Sequence, residues 1–100
     1  MKETNMDLSQ RNEHFEKACE SGQKLFAEKN SQYGDSIVNT GVLGAGVELV
    51  GLAGRVKKLV IKSGDGGEAS RDALIDILKD IHNYANIALL MLAEDNWTGV

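Results

Sequence analysis

Three aspartates, Asp72, Asp76 and Asp80, follow one another at intervals of four, and Asn83 and Tyr84 come directly after them in "RDALIDILKDIHNYANIALLMLAED" (71–95). On a helix this spacing stacks the carboxylates along one edge, where like charges four apart repel by about 0.2–0.5 kcal/mol per pair. Two arrangements accommodate that repulsion: a solvated face, or a site that holds something positive. A fourth acid, Glu48, stands alone in the apolar run "GVLGAGVELVGLAG" (41–54), and a carboxylate is rarely buried unless paired. Set across a bundle from Asp76 and Asp80, Glu48 would complete an oxygen-rich site. Such a site suits Mg²⁺ or Mn²⁺, since Mg²⁺ takes a few carboxylates and keeps waters and substrate phosphates. On a helical wheel Glu48 shares its edge with Gly51, Arg55, Lys58 and Lys62. That edge is either an exposed stripe or the cationic wall of the same site.

Other chemistry is poorly supplied. "GDGGE" (64–68) lacks the Lys-Ser/Thr that completes a phosphate loop. His14 and His82 have no Cys or His at zinc-ligand spacing. Cys19 falls on an apolar stripe and reads as a small core residue. No Ser–His–Asp arrangement can be argued.

Helices must position these groups. Residues 7–30 carry Leu8, Phe15, Cys19, Gly22 and Phe26 at helical spacing, flanked by Ala18 and Leu25. "SQYGDS" (31–36) ends that helix, and Gly34 suits a left-handed cap. Residues 41–62 form a second helix rich in glycine, each interior glycine costing about 0.8–1 kcal/mol relative to alanine. Packing must offset that cost, or the first turns are not helical. Its apolar edge holds Val42, Leu49, Ala53, Val56 and Val60. "SIVNT" (36–40) reads as a short helix or connector, and residues 69–94 as the third long helix. There Leu74, Ile77, Ile81, Ala85 and Leu92 centre about 180–200° from Asp72, whereas Asp76, Asp80, Asn83 and Tyr84 fall at about 40°, 80°, 20° and 120°. The aspartates thus lie opposite the main apolar stripe, although Ile87 and Leu90 continue their face. The tail "DNWTGV" (95–100) reads as frayed.

The sequence predicts one all-α domain over residues 1–100, with its core at about 7–94: three long helices plus a short connector. Residues 87–93, "IALLMLA", are apolar all the way round, the pattern of a helix covered on every side. A chain of 100 residues cannot supply that cover alone, so a homodimer or homotetramer is expected. A net charge of −4, from 11 basic and 15 acidic residues, disfavours binding to a nucleic-acid polymer. The longest apolar run is too short for a bilayer, which needs about 20 residues. With one cysteine and no apolar leader segment, a cytoplasmic setting is expected.

Two blocks, "KNSQYGDS" (29–36) and "DILKDIHNYANIAL" (76–89), resemble the nucleotide-modification-associated domain family, small α-helical proteins of phages and bacteria. Lys29, Tyr33, Gly34, Asp35 and Ser36 fit its first motif, and Asp76, Asp80, Asn83 and Tyr84 its last. The architecture is also similar to the all-α NTP pyrophosphatases of the MazG-like kind. The resemblance implies a Mg²⁺-dependent protein acting on, or binding, nucleoside triphosphates. Glu48, Asp76 and Asp80 would then hold the metal. Lys29, Arg55 and Lys58 would take the phosphates, Asn83 and Tyr84 would position a water or the sugar and base, and Tyr33 and Asp35 would form a corner beside the site. Two acids of these patterns are missing, at Gly51 and Gly54. A non-catalytic nucleotide-binding or assembly protein of the same fold is therefore the competing expectation.

Overall fold

Asp7 and Gln10 start the first helix by capping one another. Asp7 Oδ1 accepts the Gln10 N–H at 2.8 Å and Gln10 Oε1 accepts the Asp7 N–H at 2.9 Å, a reciprocal capping box. The computed structural model describes residues 6–32, 36–63 and 68–99. Within them α1 spans Leu8–Gln32, a 3-10 turn covers Ser36–Asn39, α2 spans Gly41–Ser63 and α3 spans Glu68–Ala93. All the described elements are helical, as the periodicity predicts. Despite its glycines α2 is helical from its first turn, and "SIVNT" begins in the 3-10 turn.

α3 is the element on which both other helices pack. It runs along α2 and, over a shorter stretch, along α1, while α1 and α2 make no comparable contact with each other. Ala45 of α2 and Ile87 and Met91 of α3 form the buried cluster, with Phe26, Val38, Val42, Tyr84 and Ala88 against it. Leu52 and Ile77 are also buried.

This inward face of α3 corrects the sequence-based wheel. Ile77 is buried and Leu74 and Ile81 are half-buried, but Ala85 and Leu92 are exposed. The face that turns inward carries Ile77, Asp80, Asn83, Tyr84, Ile87 and Met91, centred about 90° from Asp72. Asp80 and Asn83 therefore belong to the packed side of the helix, not to the side opposite the core. The physical reason is that α3 has two apolar stripes. Its own chain covers one, and leaves Ile75, Leu78, Leu89 and Leu92 of the other open. Segment 87–93 is accordingly half covered: Ile87 and Met91 are buried, Leu89 and Leu90 exposed. On α1, Leu8 and Phe15 are about three-quarters exposed, at 75% and 74%.

The tail does not fray. Asp95 takes a positive φ of 55° just past α3, the left-handed turn that commonly ends a helix, and the Asn96 N–H returns to Met91 O at 2.8 Å. The chain then caps α2, whose Val42 and Leu43 N–H groups donate to Asn96 O (2.9 Å) and Trp97 O (3.0 Å). Backbone carbonyls thus serve where a side-chain N-cap would otherwise be needed. Gly41 makes this contact possible. Its φ is 63°, and a Cβ there would stand 2.5 Å from the Gly99 nitrogen. The Asn96 side chain ties in the connector: Nδ2 donates to Val38 O at 2.7 Å, and Oδ1 accepts the Gly99 N–H at 2.9 Å. Asn96→Ala strands a carbonyl and an amide in a half-buried corner. It should lower stability by about 1–3 kcal/mol in urea unfolding followed by circular dichroism. An unchanged midpoint would show that the tail is not held this way.

Candidate functional site

The inward face of α3 meets α2 on one side and α1 on the other, and polar groups gather at both seams. On the α2 side stands Tyr84. Its hydroxyl pKa is raised above the usual tyrosine value, first by burial and then by the negative charges of Glu48 and Asp80. Two carboxylates from two helices therefore bear on one phenol. Asp80 is half-buried, and Glu48 and Asp76 are exposed. Among the described residues no group of three or more His, Cys, Asp or Glu side chains is placed to hold a metal ion. Glu48 and Asp80 are the carboxylates that would be available to a Mg²⁺, which commonly takes one or two of them together with a ligand's own oxygens. The donor set does not match a platform of Glu48, Asp76 and Asp80.

On the α1 side, Gly22 is buried because α3 passes directly over it. A Cβ at this position would lie 2.5 Å from His82 Cδ2 and 3.1 Å from Asn83 Oδ1. Beside this crossing lies a cleft of about 490 Å³, whose lining includes Gln23, Phe26, His82, Asn83, Asn86 and Ile87. The volume falls within the range of small-molecule sites, and the lining has their usual character of apolar walls with a few convergent polar groups. Asn86 Nδ2 lies 3.3 Å from His82 Nε2 and donates to it when the ring proton sits on Nδ1. Asn83 is the one buried polar residue among those described, at 9% exposure. Its side chain opens into the cleft and makes no hydrogen bond with a described residue. Its amide atoms are reached from the cleft, where a water or a ligand can bond them.

Of the cations expected to take phosphates, Arg55 and Lys58 are exposed on α2, and Lys29 is exposed in the last turn of α1. Tyr33, Gly34 and Asp35 lie outside the described residues, and with them the expected corner. The structure thus brings Glu48, Asp80 and Tyr84 together and sets Asn83 on the adjoining cleft. Gln23, Phe26, His82 and Asn86 are the members that sequence reasoning missed. Gly22 was their only signal, a glycine on an apolar stripe in mid-helix, where a close approach is the usual reason for one. Cys19 is half-buried at the cleft wall rather than in the core.

The raised Tyr84 pKa has a consequence for stability. The neutral phenol is favoured in the folded state, so its contribution is complete below the ordinary tyrosine pKa of about 10. It is lost as the pH rises through the raised value. Urea midpoints measured from about pH 8 to pH 12 should fall on the alkaline side, and Tyr84→Phe or Glu48→Gln should make that fall shallower. Superimposable profiles for wild type and Tyr84→Phe would show that the phenol does not feel the two carboxylates. Comparison with family models, with curated proteins and with solved structures gave no match.

Proposed function

We propose that the protein binds a nucleoside or deoxynucleoside triphosphate, with the base in the α1–α3 cleft and the phosphates toward the seam with α2. The observation that carries this reading is the Asn83 amide, which opens into the cleft without a hydrogen bond to a described residue, with the Gln23 and Asn86 amides lining the same cleft. Gln23, Asn83 and Asn86 each offer a donor and an acceptor side by side, the pairing that base edges require. Phe26 supplies a ring on which a base can stack, a contact worth about 1–3 kcal/mol in other nucleic-acid sites. The resemblance of residues 29–36 and 76–89 to a nucleotide-associated family points the same way.

Carboxylates beside a triphosphate repel it unless a cation stands between them. Glu48 and Asp80 would hold a Mg²⁺ or Mn²⁺ that arrives with the nucleotide; Arg55, Lys58 and Lys29 are the cations available to the outer phosphates. Such an ion, when bound, neutralises phosphate charge and polarises the phosphoryl oxygens. With acids missing at Gly51 and Gly54 and no three-acid cluster among the described residues, binding is favoured over turnover. Pyrophosphohydrolysis on an all-α NTP pyrophosphatase-like fold is the second reading, and the convergence of Glu48 and Asp80 on Tyr84 is what favours it.

Thermal unfolding with each common ribo- and deoxynucleoside triphosphate, with and without Mg²⁺, tests the proposal, with pyrophosphate release assayed in the same samples. A nucleotide should raise the melting temperature more with Mg²⁺ than without, by mass action on the folded state. Mg²⁺ alone should have no effect beyond matched ionic strength. Gln23→Ala, at an exposed position on the cleft, should weaken binding about two- to tenfold, the loss of one hydrogen bond of about 0.5–1.5 kcal/mol. Stabilisation by no nucleotide would sink the reading; pyrophosphate release would move it to the hydrolase.

A further inference from the structure

His82 borders two cavities along the α1–α3 contact, the cleft and a smaller apolar one of about 280 Å³. No carboxylate lines either of them, so no partner there calls for a charged ring. The ring is also clamped. Its Cδ2–Nε2 edge faces Gly22, where an added Cβ would stand 2.5 Å from Cδ2 and 3.0 Å from Nε2. Only glycine lets the imidazole lie this close to α1.

Asn86 approaches the same edge, with Nδ2 at 3.3 Å from Nε2. The two residues lie four apart on α3, where side chains of one face meet. An amide nitrogen only donates, and an imidazole nitrogen accepts only when it carries no proton. The contact is therefore a hydrogen bond in one tautomer alone, with His82 protonated on Nδ1 and Asn86 donating to Nε2. Its nitrogen being engaged, Asn86 keeps its Oδ1 for another partner. Asn83 and Gln23 have no such anchor among the described residues, and either end of those amides can turn to a ligand.

The cleft thus holds two adaptable amides and one fixed amide, and the fixed one decides which ligand edges fit. An N–H opposite Asn86 Oδ1 completes a bond. A carbonyl or a bare ring nitrogen at that point sets two acceptors against each other, unless Asn86 gives up its bond to His82. Polar groups left unpaired in a site discriminate more sharply than a small difference in apolar fit.

We propose that His82 is a positioning residue that fixes Asn86 as a hydrogen-bond acceptor, so that the cleft selects ligand edges bringing an N–H to that point. The choice of ligands rests on the reading of the cleft as a base site; the His82–Asn86 pair does not, since it exists in the free protein. The pair is tested there. Proton–nitrogen correlation spectra at mildly alkaline pH should show His82 with its proton on Nδ1 and a bare Nε2. The side-chain amide signals of Asn86 should move in His82→Phe. Selection is tested by calorimetric titration, with Mg²⁺, of adenosine against inosine triphosphate and of cytidine against uridine triphosphate. In each couple an exocyclic amino group is exchanged for oxygen, which reverses donor and acceptor along the base edge. Wild type should bind the members of at least one couple with affinities about tenfold apart. His82→Phe and Asn86→Ala should each bring them within about threefold; Asn86 is exposed, so its alanine variant serves if the histidine variant does not fold. A proton on Nε2, or Asn86 signals unmoved in His82→Phe, overturns the positioning. Discrimination that survives the substitutions, or none in wild type, overturns the selection. Binding of no nucleotide removes the base-site reading and the selection together, while the spectra still decide the pair.

Discussion

One asparagine holds the closed end of the molecule. Asn96 gives its backbone N–H to the end of α3 and its backbone carbonyl to the start of α2, while its side chain reaches Val38 and Gly99. The last turn of α3, the first turn of α2, the connector and the tail thus meet at a single residue. The buried trio of Ala45, Ile87 and Met91 lies close by, and Asn96 Nδ2 also approaches Met91 Sδ at 3.5 Å. With this end pinned, the register of α2 along α3 is set, and register brings Glu48 level with Asp80 and Tyr84. The polar seam is in that sense a product of the tail.

α3 is shared between two tasks. Its inward face must be apolar enough to hold two helices, yet it carries Asp80, Asn83 and Tyr84. The cost of this arrangement shows in the Tyr84 hydroxyl, whose pKa burial and two nearby carboxylates raise. Sites that bind polar ligands commonly take such costs, because the groups left short of partners are the ones a ligand can satisfy. On its other sides the chain leaves leucines and valines uncovered, which is uneconomical for a monomer and ordinary for one subunit of an assembly.

Much of this was legible from residues alone: the three helices, the connector, and Asp80, Asn83 and Tyr84 as members of one face. The choice of which face of α3 turns inward was not. Periodicity finds apolar stripes, but Leu92 and Ile87 look alike to it; only the position of α2 decides which one the chain itself buries. The role of the tail was hidden for a different reason. Its caps are backbone carbonyls, and a carbonyl has no sequence signature. The α1–α3 cleft depends on how two helices cross at Gly22, a geometry that neither helix encodes separately.

The narrowness of the α1 attachment has its own consequence. α2 and α3 are joined along their lengths and pinned at one end, whereas α1 is closely seated at Gly22 and leaves Leu8 and Phe15 in solvent. Such a helix is a natural unit of local opening, with a free energy below that of global unfolding. Its amides would exchange with solvent on their own schedule, ahead of those in the hairpin beneath. Because α1 forms one wall of the cleft, the cleft exists only while that helix is docked. Occupancy would then be written chiefly into the exchange protection of α1, by a molecule that need touch no more than two of its turns.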